Sequence, residues 1–261
     1  MNENLVIGFL GMSDNQSTKI VLKELEKNHI NLSFIILQVP NASLQLKRFK
    51  RKLKLSGPIL TIKRIVQTLW HKKILRKYPK TETGIPYLNI STEYVTSVNS
   101  EDCRGKIKAF SPDIIILCTD ELITRKTFLI PRLGCLNAHP GWIPAYRGLG
   151  SLIRQVGDGF RPAISVHFVD EGIDTGPLLL REEIDVPITA EGEWDEIAMC
   201  KEQARLFTRV INKLKNNKID CIDTFLETSN LSKGFGYKRA RSILMQAKKN
   251  WKNLKSPRSI Y

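Results

Sequence analysis

Short apolar runs alternate with amphipathic stretches along this chain, and this alternation restricts the possible folds more than any other feature of the sequence. Runs typical of strands lie at residues 4–10, 32–37, 113–117, 134–138, 163–168 and 178–186. The run at 113–117 is continuously apolar, as in a strand buried on both faces of a parallel sheet. Strands separated by helices form such sheets. The predicted fold class is therefore α/β, a Rossmann-like, mostly parallel sheet flanked by helices, with its site at the carboxyl ends of the strands.

Three helices are predicted between these strands. The first covers residues 17–28, and the second ends near Phe110, with Ser100 or Asn99 suited to cap its start. Thr189 is expected to cap the start of the third. Apolar side chains recur at helical spacing beyond that point, at Ile197, Ala204, Phe207, Ile211 and Leu214.

The chemistry-bearing residues cluster at the end of the strand predicted at 134–138. Asn137 and His139 stand two residues apart just before Pro140, so their side chains project to the same side of the strand end. Asp174 lies in a later loop that ends in Gly176, and it can complete a trio. The three groups are an amide that can hold a carbonyl oxygen, an imidazole that can manage a proton, and a carboxylate that can orient the imidazole. These are the parts needed for acyl transfer to an amine.

Around these residues the chain resembles the folate-dependent formyltransferases, which include glycinamide ribonucleotide transformylase, the catalytic domain of methionyl-tRNA formyltransferase and the sugar N-formyltransferases. The resemblance rests on four pieces in the family's order: Asn137-Ala138-His139-Pro140, Ile143-Pro144-Ala145-Tyr146-Arg147-Gly148, Ser165-Val166-His167-Phe168-Val169 and Asp174-Thr175-Gly176. It covers residues 110–216 well and 4–37 loosely, and it is absent from 43–80 and after about 228.

The resemblance implies the formyltransferase fold, 10-formyltetrahydrofolate as co-substrate and no metal. Catalysis is then expected from Asn137, His139 and Asp174. The folate is expected against five residues that follow the strand at 113–117 or lie in the loop before Asp174: Leu122, Ile123, Val169, Asp170 and Glu171. His167 lies in a predicted strand and is either a core residue or a site residue.

The positive charge of the chain is concentrated in two segments. Residues 45–80 hold thirteen Lys and Arg and no Asp or Glu, and residues 228–261 hold nine and none, so the remainder is net acidic although the chain carries +15. We expect a catalytic domain at 1–227 with a basic helical insertion at about 43–80, and a basic carboxyl-terminal extension at 228–261. The insertion suits an anionic membrane surface, RNA or a solvated outer face. Nucleic acid is the least favoured because no barrel-sized domain follows the core.

Composition indicates the compartment. Five cysteines are scattered without a C-x-x-C pair, at Cys103, Cys118, Cys135, Cys200 and Cys221, which is typical of a reducing cytoplasm. No apolar stretch approaches the length of a membrane span, and the first residues do not resemble an export signal. The expected location is cytoplasmic, with peripheral membrane contact through residues 45–80. The oligomeric state is left open.

The expected acceptor is a small-molecule amine, a nucleotide-linked amino sugar. Asp14, in the loop where a ribotide phosphate would bind, disfavours glycinamide ribonucleotide by charge repulsion. Three alternatives stay open: glycinamide ribonucleotide formylation, hydrolysis of formyltetrahydrofolate by the same trio, and a non-enzymatic binding protein built on a formyltransferase body.

Overall fold

A computed structural model describes residues 5–42, 45–46, 49–50, 89–216, 218–224 and 227–260. Seven strands form the main sheet and two more form a small second sheet. The main-sheet strands are β1 (Ile7–Met12), β2 (Phe34–Gln38), β3 (Thr92–Val95), β4 (Ile114–Cys118), β5 (Gly134–Pro140), β7 (Ala163–Phe168) and β8 (Leu178–Glu183); β6 (Arg147–Leu149) and β9 (Leu231–Lys233) form the second sheet.

The main sheet has the strand order β3-β2-β1-β4-β5-β7-β8. Strands β1 to β5 pair in parallel, whereas β7 is antiparallel to both β5 and β8. The strand order reverses between β1 and β4, which is where open α/β sheets bind ligands. The predicted α/β class with a mostly parallel sheet is therefore confirmed.

Helices cover both faces of the sheet. They are α1 (Gln16–Lys27), α2 (Glu101–Phe110), α3 (Arg125–Phe128), α4 (Ser151–Gly157), α5 (Glu196–Lys215) and α6 (Tyr237–Lys249). One core lies under α1 and α5, where Leu22, Leu25 and Phe207 meet the sheet. A second core lies on the opposite face, where Cys103 and Ile107 of α2 pack. This double covering explains why the central strands β1 and β4 carry no charged side chain and are almost entirely apolar.

Most predicted elements lie within a few residues of their expected positions, with one correction. Ser100 caps α2 as expected, since its hydroxyl accepts from the Cys103 amide. Thr189 does not cap the third helix, so that expectation was wrong. Asp195 is the N-cap of α5 and accepts from the Ala198 amide, while Thr189 closes a turn through a bond from its amide to the Glu193 carbonyl.

The residues after 228 lie against the sheet domain. β9 pairs in parallel with β6, α6 packs on α4, and the Lys255 amide donates to the Gly159 carbonyl. Leu244 and Ala247 of α6 are buried there. The division into a catalytic domain and two basic appendages remains a prediction, and most of the expected insertion at 43–80 lies outside the described residues.

Candidate active site

The antiparallel pair β5 and β7 brings the first two polar groups together. Asn137 stands directly opposite His167 in the register, and His139 stands opposite Ser165. Directly opposed side chains point to the same face of a sheet, so Asn137, His139 and His167 share one face. The face lies toward the carboxyl end of β5, as the sequence predicts.

Asp174 reaches this face from the turn between β7 and β8. Its backbone is left-handed, with φ of 53°, a conformation that Asp adopts more readily than most residues. One carboxylate oxygen, Oδ2, lies 3.1 Å from His139 Nδ1 and accepts from the Gly148 amide at 2.9 Å. The other oxygen, Oδ1, lies 3.4 Å from Asn137 Nδ2. The three residues predicted from the sequence therefore meet at one point.

The imidazole of His139 lies between two hydrogen-bond acceptors. Its Nδ1 faces the Asp174 carboxylate, and its Nε2 lies 3.1 Å from the Tyr146 carbonyl oxygen. Burial lowers the pKa of His139, and the charge of Asp174 opposes that shift. A neutral imidazole carries one N–H and can satisfy one of the two acceptors, whereas the imidazolium satisfies both. The geometry thus provides a partner for a second ring proton, while burial opposes its uptake.

His167 belongs to the site as well as to the core. It is 2% exposed, and its Nδ1 lies 2.7 Å from the Phe168 carbonyl, which only accepts, so Nδ1 carries a proton. In the neutral ring Nε2 then accepts from Asn137 Nδ2, 3.2 Å away. The same Nε2 lies 3.6 Å from Asp174 Oδ1. Sequence periodicity could not reveal this contact, because it depends on the register between β5 and β7.

The Asp174 carboxyl is held in its charged form. Burial alone would raise the pKa of Asp174, but interaction with His167, the charge on His139 and the Gly148 amide together lower it to about 2. The carboxylate therefore stays ionised at neutral pH and can orient the imidazole throughout a proton transfer.

Two clefts meet at this cluster. The smaller, of about 170 Å³, contains all five residues that the sequence predicts for folate binding, Leu122, Ile123, Val169, Asp170 and Glu171, and it also reaches Glu121 and His167. The larger, of about 850 Å³, extends past the beginning of α1 and the second sheet. Both clefts are lined by the same central residues: Leu117, Thr119, Leu122, Asn137, Ile173 and Asp174. A ligand in each cleft would meet the other beside Asn137 and Asp174.

The predicted folate-side residues occupy different local environments. Leu122 is 75% exposed at the rim. Asp170 closes its own loop, since its Oδ1 accepts from the Gly172 amide and the Thr175 hydroxyl. Glu171 forms an exposed ion pair with Arg125, the first residue of α3.

Sequence reasoning missed the polar cluster that fixes the loop after β4. Glu121 accepts hydrogen bonds from Gln38 and Ser97, and Asn99 donates to the Leu122 carbonyl. These partners come from the ends of β2 and β3, so the loop that carries Leu122 is tied to the neighbouring strands. The contacts are long-range in sequence, and no local motif signals them.

The larger cleft also contains Asn15, from the loop in which the sequence suggests phosphate binding, and residues that the sequence did not single out. Asn15 and Ser17 line it at the beginning of α1, and Leu149 and Leu231 line it from the second sheet. Asp14 is exposed and is not among the lining residues, so the charge repulsion expected from Asp14 does not apply to this cleft.

Within the part of the chain that the structure describes, no group of three or more His, Cys, Asp or Glu side chains is arranged to hold a metal ion. Among the described helices, none combines the length and the hydrophobicity that crossing a bilayer requires.

The sequence model of the family described as "Formyl transferase" matches residues 21–211, which include the whole trio, and the chain belongs to that family. The family predicted from the four motifs is therefore confirmed.

The individual proteins that resemble this chain do so at low sequence identity. A methionyl-tRNA formyltransferase of Kosmotoga olearia is 29% identical over 150 residues, which cover 57% of this chain and 45% of the relative, so the chain spans less than half of that protein. Among solved structures, a 4-N formyltransferase from Francisella tularensis matches with a TM-score of 0.53 at 18% identity, covering 92% of this chain and 86% of that one. Glycinamide ribonucleotide transformylase 1 from Symbiobacterium toebii matches with a TM-score of 0.53 at 15% identity, covering 84% and 94%. At these identities the two structures show a shared fold.

Proposed function

We propose that this protein is an N-formyltransferase that moves the formyl group of 10-formyltetrahydrofolate to an amine. The observation that carries the proposal is the meeting of Asn137, His139 and Asp174 where two clefts join. A donor in one cleft and an amine in the other would bring the reacting atoms together at these three side chains, and this positioning supplies much of the rate enhancement in transfer reactions.

His139 and Asp174 are proposed to manage the proton. The amine loses a proton as it attacks, and the Asp174 carboxylate, which lines both clefts, can take it and share it with Nδ1 of His139, while Nε2–H of His139 donates to the Tyr146 carbonyl. The same proton can then be delivered to the departing nitrogen of the donor. A general acid and base of this kind contributes about 10²- to 10⁴-fold.

Asn137 is proposed to stabilise the charge that develops on the carbonyl oxygen. Both ring nitrogens of His139 already face acceptors within the protein, so the amide of Asn137 is the better placed donor. Its Nδ2 makes a long contact of 3.4 Å with Asp174, and this weak bond is the one that can be exchanged for the carbonyl oxygen.

The smaller cleft is the proposed donor site. Leu117, Ile123 and Val169 supply apolar walls, and the carboxylates of Glu121 and Asp170 supply acceptors. Such a lining fits a flat heterocycle with N–H donors, as the pterin of the folate has. The five predicted folate contacts, which line this cleft, support the assignment.

The larger cleft is the proposed acceptor site, and a nucleotide-linked amino sugar is the proposed acceptor. Its volume of about 850 Å³ leaves room for a sugar linked to a nucleotide. Glycinamide ribonucleotide remains the alternative, because Asn15 and Ser17 place the start of α1 at the cleft and helix N-termini bind phosphate.

The deciding experiment supplies 10-formyltetrahydrofolate with one amine at a time: nucleotide-linked 4-amino and 3-amino sugars, glycinamide ribonucleotide, or none. Mass spectrometry identifies the formylated amine, and kcat/KM values rank the acceptors. Asp174→Asn is the matched inactive control. Donor consumption without an amine would identify a hydrolase, and no consumption under any condition would leave a binding protein. A higher kcat/KM for glycinamide ribonucleotide would overturn the sugar assignment.

A further inference from the structure

The turn that carries Asp174 is attached to β6 at two consecutive residues. The Gly148 amide donates to Asp174 Oδ2 at 2.9 Å, and the guanidinium of the preceding residue, Arg147, donates through Nη1 to the Ile173 carbonyl at 2.9 Å. The first bond holds the carboxylate and the second holds the backbone just before it. Together they restrain a residue whose φ is positive and therefore strained.

β6 lies outside the main sheet. It pairs with β9, which lies near the carboxyl-terminal end of the chain. Arg147 is opposite Leu231 in the parallel pair β6–β9, and the Arg147 amide donates to the Asn230 carbonyl at 3.0 Å. The Asn230 amide in turn donates to the Pro144 carbonyl. A continuous set of contacts therefore runs from β9 through β6 to the Ile173–Asp174 turn.

The surroundings of the Arg147 side chain indicate a structural contact. The residue is half-buried, and its Nε is enclosed without a hydrogen-bond partner. A buried donor of this kind is costly, so the stabilisation that keeps it in place must come from the remaining guanidinium contacts, of which the bond to Ile173 is one.

We propose that Arg147 is a positioning residue that holds Asp174 against His139 through the Ile173 carbonyl, and that β9 fixes Arg147 in turn. The effect of Arg147 on turnover rests on the proposed function, whereas its effect on the position of Asp174 does not depend on any substrate. Without the Ile173 bond the turn relaxes, the Asp174 carboxylate moves away from His139 Nδ1, and the pair no longer takes up a proton as a unit.

The direction in which the pKa of His139 changes in an Arg147 variant distinguishes an effect of charge from an effect of position. Arg147 itself lowers the pKa of His139 through its positive charge, whereas Asp174 raises it. If Arg147 acted only through its charge, Arg147→Met would raise the pKa of His139. If Arg147 positions Asp174, the same variant lowers the pKa, because the larger contribution of the nearby carboxylate is lost.

The experiment measures the pKa of His139 by NMR titration in the wild-type protein, Arg147→Met, Arg147→Lys and Ser232→Pro. Proline in the middle of β9 removes a backbone donor and disrupts the pairing with Gly148 without changing any charge. Arg209→Met, which removes an α5 arginine paired with Glu182 away from both clefts, is the control.

The expected result is a lower His139 pKa in Arg147→Met and Ser232→Pro and a wild-type value in Arg209→Met. Arg147→Lys keeps the charge and so reports the loss of the guanidinium contact alone. With an accepted amine, kcat should fall by about 100-fold in Arg147→Met at little change in the donor KM. A raised or unchanged His139 pKa in both Arg147→Met and Ser232→Pro overturns the proposal. Absence of formyl transfer in the wild type, with the pKa shifts as expected, would refute the proposed function and leave the positioning role standing.

Discussion

At the level of single residues, the notable feature is an imidazole placed between two acceptors. His139 has 6% of its surface exposed, and its partners are a carboxylate and a backbone carbonyl. One of those acceptors lacks a proton whenever the ring is neutral. A second ring proton would therefore have a partner beside the proposed reaction centre, and replacing the Asp174 carboxyl should remove that partner.

The first prediction concerns this pair. His139→Ala and Asp174→Asn should each lower kcat by at least about 100-fold, since each removes the group that takes or directs the proton. Steady-state kinetics with an accepted amine is the measurement, and an unchanged circular dichroism spectrum is the control for folding. Near wild-type turnover in either variant would show that the roles are assigned incorrectly.

The second prediction concerns His167. In His167→Gln the Asn137 amide keeps a possible partner, whereas in His167→Leu its Nδ2 loses the acceptor 3.2 Å away. We expect His167→Leu to reduce kcat more than His167→Gln does, and to lower the stability by about 1–3 kcal/mol because a buried polar group is left unsatisfied. Urea unfolding and kinetics on both variants give the comparison. Equal activity in the two variants would make His167 a packing residue only.

The third prediction follows from the pKa of Asp174, which the site lowers from 3.8 to about 2. A carboxyl with a depressed folded-state pKa stabilises the protein above its unfolded pKa, and the contribution is lost as pH falls toward 2. The shift corresponds to roughly 2 kcal/mol. Between pH 5 and pH 2 the unfolding free energy of the wild type should therefore fall by about that much more than that of Asp174→Asn. Parallel pH profiles for the two proteins would contradict this.

At the level of elements, the loop after β4 depends on partners from other strands. Glu121 is bonded to Gln38 and Ser97, so the loop carrying Leu122 is fixed by the ends of β2 and β3.

The fourth prediction tests that attachment. Glu121→Ala should raise the donor KM while leaving kcat at saturating donor within about threefold, because the loop forms a wall of the donor cleft and lies away from the proton-transfer pair. Glu101→Ala, at the exposed start of α2, is the matched control and should behave as wild type. A fall in kcat with an unchanged KM would show that Glu121 acts on the chemical step.

The elements also show what the sequence could and could not predict. Asn137 and His139 were predictable because a strand places alternate residues on one face, and Asp174 because it completes a known motif. The start of α5 was not predictable, because Thr189 and Asp195 are both residues suited to cap a helix. The turn from Thr189 to Glu193 leaves Asp195 as the cap. β9 was not predicted either, because three residues with one partner strand carry no periodic signal.

At the level of the whole molecule, the two basic segments differ: residues 228–261 reach the larger cleft through Leu231, whereas most of residues 45–80 lie outside the described part of the chain. Residues 45–80 carry thirteen Lys and Arg, and no role for them follows from the clefts. Cytoplasmic location and contact with an anionic membrane surface remain proposals that rest on this charge.

The fifth prediction concerns vesicles that contain anionic lipid. Binding should weaken as salt rises, because the attraction between exposed charges is screened, and it should vanish when the basic residues of the insertion are changed to Glu. The substitutions are Lys47→Glu, Arg48→Glu, Lys50→Glu and Arg51→Glu. The same change at Lys248 and Lys249 of α6 is the comparison. No binding by the wild type at low salt would leave residues 45–80 as a solvated face.

The joined clefts also constrain the kinetic order of the reaction. Leu117, Asn137 and Asp174 line both clefts, so an amine and a donor can be bound side by side. Cys118, the cysteine that lines the larger cleft, is a poor nucleophile because burial raises its pKa to about 12. A ping-pong sequence through a formylated cysteine is therefore disfavoured. Initial velocities measured against one substrate at several fixed concentrations of the other should give double-reciprocal lines that intersect instead of running parallel.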